Sequence, residues 1–269
     1  MERYDSLTDD QRRQYWQDYK KSLVAGRNLG ICAELGGELL MKLVTLSMLK
    51  SRKHTSLQRQ QADERLLKEG RDKASQLEVQ QGKPGSGVGF IGSSTFTFWR
   101  RLKEDFPKHT VYNGAFGGSR TRHQLDDELF QRLVVQHRPK CIVYYCGSND
   151  ISLDSLAMQA VDCFVAFCER VRQHLGTEVH IVYVATIKTP LLRAWGEPLH
   201  CVDAANFQIK GFCNASRPAI SFVDVNTLSW SADRSFYIGD GHHLNDEGHS
   251  CLASAIRPHL PTPIAVARL

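Results

Sequence analysis

The chain has 269 residues, 42% of them hydrophobic and 23% charged, with a formal net charge of +5 at pH 7. That is long enough for one large α/β domain with an extension, and too apolar for disorder throughout. The positive charge is spread among residues of both signs, and neither an aromatic-basic ribonucleoprotein motif nor zinc-finger spacing occurs, so nucleic acid is not an expected partner.

The first residues, Met1-Glu2-Arg3-Tyr4-Asp5, lack the apolar core of a signal peptide, and Asp5, Asp9 and Asp10 are unlike a transit peptide. A cytoplasmic address is expected. The eight cysteines form no C-x-x-C pair and mostly sit in apolar runs, which reads as buried free thiols in a reducing compartment.

Thr8-Asp9-Asp10-Gln11 has the form of a capping box, and the run to residue 23 places Tyr15, Trp16 and Tyr19 near helical spacing, which predicts a helix. Residues 29–49 put Cys32, Leu35, Leu39, Leu43 and Leu46 on one face, with Glu34, Glu38 and Lys42 on another. Those charges would be costly in a bilayer, so no transmembrane span is expected. Such a helix would pack on the protein's own main domain, dock a partner or make peripheral membrane contact. Residues 56–81 carry only scattered apolar positions, Leu57, Leu66, Leu67 and Leu77, and read as a solvated helix rather than a coiled coil. Gln81-Gly82-Lys83-Pro84-Gly85-Ser86-Gly87 then breaks the pattern as a linker does. This divides the chain into a helical extension, 1–82, and a second domain, 83–269.

Beyond the linker, short apolar runs alternate with helical patterns. Strands are predicted at 88–92, 110–112, 141–146, 179–185 and 220–225, and helices at 125–137, 156–175, 204–214 and 246–256. With right-handed crossovers this is a three-layer α/β/α sandwich on a mostly parallel five-stranded sheet of flavodoxin-like type. In such sheets ligands gather where strands end.

The strand ends carry the unusual residues. The first strand runs into Gly92-Ser93-Ser94-Thr95, and the second into the glycine-rich Asn113-Gly114-Ala115-Phe116-Gly117-Gly118-Ser119. The third ends in Gly147-Ser148-Asn149-Asp150, and Gly239-Asp240-Gly241-His242-His243 follows the last. Each taken singly also reads as a turn or helix cap. An Asp three residues before a His, however, can fix the ring's tautomer and stabilise its cation for acyl transfer.

Together and in this order, the four blocks resemble the SGNH hydrolases, also called GDSL-type esterases, from about Val88 to the last helix. The resemblance implies Ser94 as nucleophile, His243 as base and Asp240 as its orienting acid. It implies an oxyanion hole of the Ser94 and Gly118 amides with the Asn149 carboxamide, and leaves Asp150 as a cap or as a residue that supports the site from behind. Ser93 stands where the family has Asp, so the first block reads Gly-Ser-Ser; block register and strand end favour Ser94 over Ser93. Register likewise favours His243 over His242, and His249 reads as a surface or core residue.

The implied activity is hydrolysis of small-molecule, lipid or carbohydrate esters through an acyl-enzyme. An acyltransferase on the same site, or a non-catalytic partner-binding protein on this scaffold, are the alternatives. No cofactor is implied, and adjacent histidines without a further ligand cluster do not suggest a metal. Trp195, in 189–201, is a candidate substrate-wall residue, against a plain connector role. Arg120, with Arg122 and His123, is a candidate for drawing an anionic substrate, against a solvated helix start. The extension could also act as a lid. Nothing in the sequence indicates the oligomeric state.

Overall fold

A computed structural model describes residues 56–80, 87–154, 157–196, 198–216 and 219–262. The helices expected before residue 50 therefore lie outside the described residues, as do residues 81–86 of the linker.

In chain order the elements are α1 (Ser56–Gln80), β1 (Val88–Gly92), α2 (Ser94–Thr97), α3 (Leu102–Asp105), β2 (Val111–Asn113), α4 (Asp127–Phe130) and β3 (Cys141–Tyr145). They continue with α5 (Ser148–Asp154), α6 (Ala157–Leu175), β4 (His180–Val184), α7 (Pro190–Trp195), α8 (Leu199–Ala215), β5 (Ile220–Val223) and α9 (Asp246–Ile256). The sheet order is β2-β1-β3-β4-β5 and every pairing is parallel. After β1 the chain moves to β2 on one side and then to β3 on the other. The crevice between the ends of β1 and β3 is therefore the switch point at which such sheets bind ligands.

Both faces of the sheet are covered, which is why its strands read as unbroken apolar runs. Alternate residues serve opposite layers. Ile91, Ile142, Tyr144, Ile181 and Tyr183 pack with Phe164, Phe167 and Val171 of α6 and Val202 and Ile209 of α8. Phe90, Val143, Val182 and Val184 pack with Phe96 of α2, Leu102 of α3 and Leu252 and Ile256 of α9.

Two expectations need correction. The segment 125–137 is not one helix: a 3-10 turn (Thr121–Leu125) precedes α4, which runs into a π turn (Gln131–Val135). Asp126 has an extended ψ of 130° and its side chain accepts from the Leu129 amide, which starts a new helix there; the wider turn closes through Gln136 N–H to Gln131 O at 2.9 Å.

The second correction concerns α1, which is docked rather than solvated. Gly70, Ala74 and Leu77 share one face and are buried. A Cβ on Gly70 would lie 2.6 Å from Leu129 Cδ1, so the helix backbone rests directly on α4. Arg71 with Glu128 (2.7 Å) and Arg132 with Glu78 (2.8 Å) border this contact. These pairs are partly exposed and contribute little beside the apolar burial. Only two of the three buried positions carry a side chain beyond hydrogen, and only Leu77 is large, so the apolar pattern of α1 is faint.

No helix among the described residues is long and apolar enough to cross a membrane. Leu77→Ala should lower stability by about 2 kcal/mol, read from the urea midpoint, because it empties a buried site at the α1 contact. An unchanged midpoint would mean that α1 does not dock on the sheet domain.

Candidate active site

The site begins with a close approach. A Cβ on Gly92 would stand 2.0 Å from the Tyr145 carbonyl, so only glycine lets the end of β1 lie this near β3. The next amide, Ser93 N–H, donates to Tyr145 O at 3.1 Å. The chain then turns into α2, whose first residue is Ser94. As the first helical residue, Ser94 has an N–H with no intrahelical partner, and it meets no acceptor among the described residues.

The turn at Asp240 to His243 is held by Gly241 N–H to Ile238 O and Ile238 N–H to His243 O, both 2.9 Å. Asp240, only 1% exposed, accepts the His242 and His243 amides on Oδ1 at 2.8 and 2.9 Å. Its Oδ2 lies 2.6 Å from His243 Nδ1, and His243 Nε2 lies 3.0 Å from Ser94 Oγ. A carboxylate only accepts, so the proton sits on Nδ1 and Nε2 offers a lone pair to the Ser94 hydroxyl. The ring of Phe98 meets the His243 ring edge-on at 4.9 Å between centroids. Ser93 Oγ is buried without a hydrogen-bond partner among the described residues.

His242 faces elsewhere: its Nδ1 is 3.2 Å from Thr189 Oγ1, the side chain that caps α7. Burial, helped by repulsion from His243, holds its pKa down to about 4. Leu191 N–H donates to Gly241 O at 2.9 Å, so the loop after β4 supports the turn that carries Asp240 and His243. Trp195 ends α7 partly buried against the core on the α6 and α8 side.

The glycine-rich loop after β2 is tied to β1 through one carbonyl. Gly92 O accepts from Phe116 N–H at 3.2 Å, Ser119 Oγ at 3.0 Å and Gln124 Nε2 at 3.4 Å. Gly118 has φ +74°, a conformation glycine adopts freely, and its N–H has no acceptor among the described residues. Asn149 Nδ2 donates to Ser119 O at 2.9 Å, which uses one of its two protons.

Asp150 locks the same two loops together. It accepts from Thr121 Oγ1 at 2.7 Å and from Thr121 N–H at 3.1 Å. Burial pushes its carboxyl pKa up, and the Thr121 hydrogen bonds and the Arg120 charge pull it back. Arg120 is itself only 8% exposed. Arg122 is partly exposed and His123 buried, and both are engaged: Asp63 of α1 holds the Arg122 guanidinium at 2.6 Å and His123 Nε2 at 3.1 Å. Asp63 and Leu66, on α1, were not read as site residues from sequence. No spacing rule links α1 to the glycine loop 50 or so residues later. Among the described residues no group of three or more His, Cys, Asp or Glu is placed to hold a metal ion.

Residues 85–251 match the model of the GDSL-like lipase/acylhydrolase family. The chain belongs to that family. Its fold is similar to that of a Streptococcus pneumonia protein provisionally described as a platelet activating factor, at 19% identity and TM-score 0.63, over 77% of this chain and 100% of that one. It is also similar to a GDSL-like lipase from Bacteroides thetaiotaomicron, at 16% identity and TM-score 0.56, over 69% and 95% of the two chains. An acetyl xylan esterase follows at 14% identity and TM-score 0.54, over 65% and 99%. No curated protein matches the chain.

In this GDSL-family chain a further histidine backs the turn that carries Ser94. His249 Nε2 is 2.8 Å from Thr95 O, the residue after Ser94, and its ring stacks on Trp99 at 5.0 Å. Burial holds its pKa down to about 4, against an ordinary value of 6.5. The unfolded chain therefore takes up a proton that the folded chain refuses, and stability falls as pH drops from about 6.5 to about 4. For this one group the loss is on the order of 3 kcal/mol, and His242 adds the same sign. His249→Gln should flatten part of that slope in urea midpoints measured across this range. An unaltered slope would show that His249 titrates normally in the folded protein.

Proposed function

We propose that this chain is a serine ester hydrolase that cleaves carboxylic esters through an acyl-enzyme. The observation that carries the reading is the continuous line Asp240 Oδ2, His243 Nδ1, His243 Nε2 and Ser94 Oγ, with separations of 2.6 and 3.0 Å across its two hydrogen bonds. At its end, Ser94 also carries an N–H with no acceptor among the described residues, as does Gly118 on the loop after β2.

On this reading Ser94 Oγ attacks the ester carbonyl carbon while its proton passes to His243 Nε2. Asp240 stays ionised and stabilises the imidazolium. The carbonyl oxygen gains charge as the tetrahedral intermediate forms, and the Ser94 amide, the Gly118 amide and the second Asn149 Nδ2 proton donate to it. His243 returns the proton to the departing alcohol oxygen, which leaves the acyl group on Ser94. Water, deprotonated by the same imidazole, then releases the acid.

The surrounding residues take supporting parts. Asp150, through Thr121, holds the loop that presents Gly118, and buried Arg120 offsets the Asp150 charge rather than meeting substrate. Trp195, at the end of the helix bonded to the His243 turn, is proposed to wall the substrate on that side. The chain divides into an extension, 1–82, and a hydrolase domain, 83–269, with α1 packed on the latter. Buried thiols at Cys141, Cys146, Cys168 and Cys213 favour a reducing, cytoplasmic setting.

A fluorophosphonate probe should label the protein, and Ser94→Ala should abolish the labelling; a Ser94→Ala variant that still labels would sink the assignment. Asn149→Ala should cut kcat on nitrophenyl esters by roughly a hundredfold or more, about 3 kcal/mol of transition-state stabilisation.

A further inference from the structure

The face of α1 that anchors it to the domain continues beyond Gly70, Ala74 and Leu77. Asp63 and Leu66 lie on the same stripe, at helical spacings of three and four. At that end the helix meets the glycine loop: a Cβ on Gly118 would stand 3.2 Å from Leu66 Cδ2. Leu66 is only partly buried. Asp63 fixes this end of α1 through Arg122 and His123, which follow the glycine loop in sequence. The family match begins at residue 85, so α1 reaches the site from outside the matched segment.

The sheet order gives the contact a direction. The loop bearing Gly118 follows β2, on one side of β1, whereas the turn bearing His243 is bonded to the loop after β4, on the other side. Ser94 lies between them at the end of β1. During breakdown of a tetrahedral intermediate His243 must reach the leaving oxygen, so the alcohol portion of an ester lies on the His243 side. The carbonyl oxygen points at the Gly118 and Asn149 donors, and the acyl portion, on the same carbon and turned from the alcohol, runs along the loop that bears Gly118, toward the apolar surface of Leu66.

We infer that Leu66 is a specificity-determining residue: from α1 it walls the acyl side of the site and favours esters of aliphatic acids several carbons long over acetates. This rests on the ester-hydrolase reading above. An acetyl group ends before it can reach past the oxyanion donors, whereas a longer chain gains contact with the Leu66 methyls. The preference is modest because Leu66 is a single, partly buried aliphatic side chain. Asp63 acts as a positioning residue by holding that end of the helix over the loop.

The test compares kcat/KM for nitrophenyl hexanoate and nitrophenyl acetate in the full-length protein. Leu66→Ala should lower the hexanoate value about fivefold relative to acetate. Leu66→Gln keeps the bulk and the helix but not the apolar surface, and should show the same fall if the alanine variant is poorly folded. Glu78→Gln loosens the far end of α1 and should leave the ratio unchanged. A wild-type enzyme that hydrolyses both esters, with Leu66 variants that keep its ratio or lose both activities equally, would overturn the Leu66 assignment while leaving the hydrolase reading intact. A wild-type protein that neither hydrolyses an ester nor takes the probe would overturn both.

Discussion

The contact on which the site depends is the approach of β1 to β3 at Gly92, where the absence of a side chain lets the strand end lie against the Tyr145 carbonyl. That approach sets where Ser94 enters α2. The same residue's carbonyl gathers Phe116 N–H, Ser119 Oγ and Gln124 Nε2, so one peptide group fixes the Ser94 turn to the glycine loop. Asn149 and Asp150, one residue apart at the end of β3, then bond to Ser119 O and to Thr121. Three strand ends are thus joined by short hydrogen bonds rather than by flexible loops. Preorganisation of this kind lets donors face a developing charge without rearranging when it forms.

Two histidines that flank the site in sequence have been taken out of acid-base use by burial. His242 is tied to Thr189 and His249 to Thr95 O, and both resist protonation down to about pH 4. His243 differs in what surrounds it. Its Nδ1 meets a buried carboxylate and its Nε2 meets a hydroxyl, so the chemistry of its two partners, not its position in the sequence, distinguishes it.

Much of this was legible in the sequence because parallel strands buried on both faces leave continuous apolar runs, and because the unusual residues fall at their ends. The five strands lie within one or two residues of their expected bounds, and the family to which the four blocks pointed is the one to which the chain belongs. The blocks also name Ser94, Asp240 and His243, which the fold brings into one hydrogen-bonded line. What the sequence concealed is tertiary. The segment 125–137 looked like a single helix because its apolar spacing does not reveal that the Asp126 side chain starts a new turn. The docking of α1 was hidden because its contact face is built partly from Gly70 and Ala74, residues too small to register as an apolar stripe. Arg120 and Arg122 looked like solvated charges because Asp150 and Asp63 are distant in sequence. Helix α1 is therefore part of the domain's packing, and its first half reaches the loop that carries Gly118.

The central claim is that an ester carbonyl attacked by Ser94 places its oxygen among the Ser94 amide, the Gly118 amide and the Asn149 carboxamide. A crystal structure of the phosphonylated protein tests it most directly, since a phosphonate on Ser94 stands in for the tetrahedral intermediate. The account predicts a P–Oγ bond at Ser94 with the phosphonyl oxygen at about 2.7–3.1 Å from all three donors. A phosphonyl oxygen turned away from Gly118 and Asn149, or an adduct on Ser93, would contradict it.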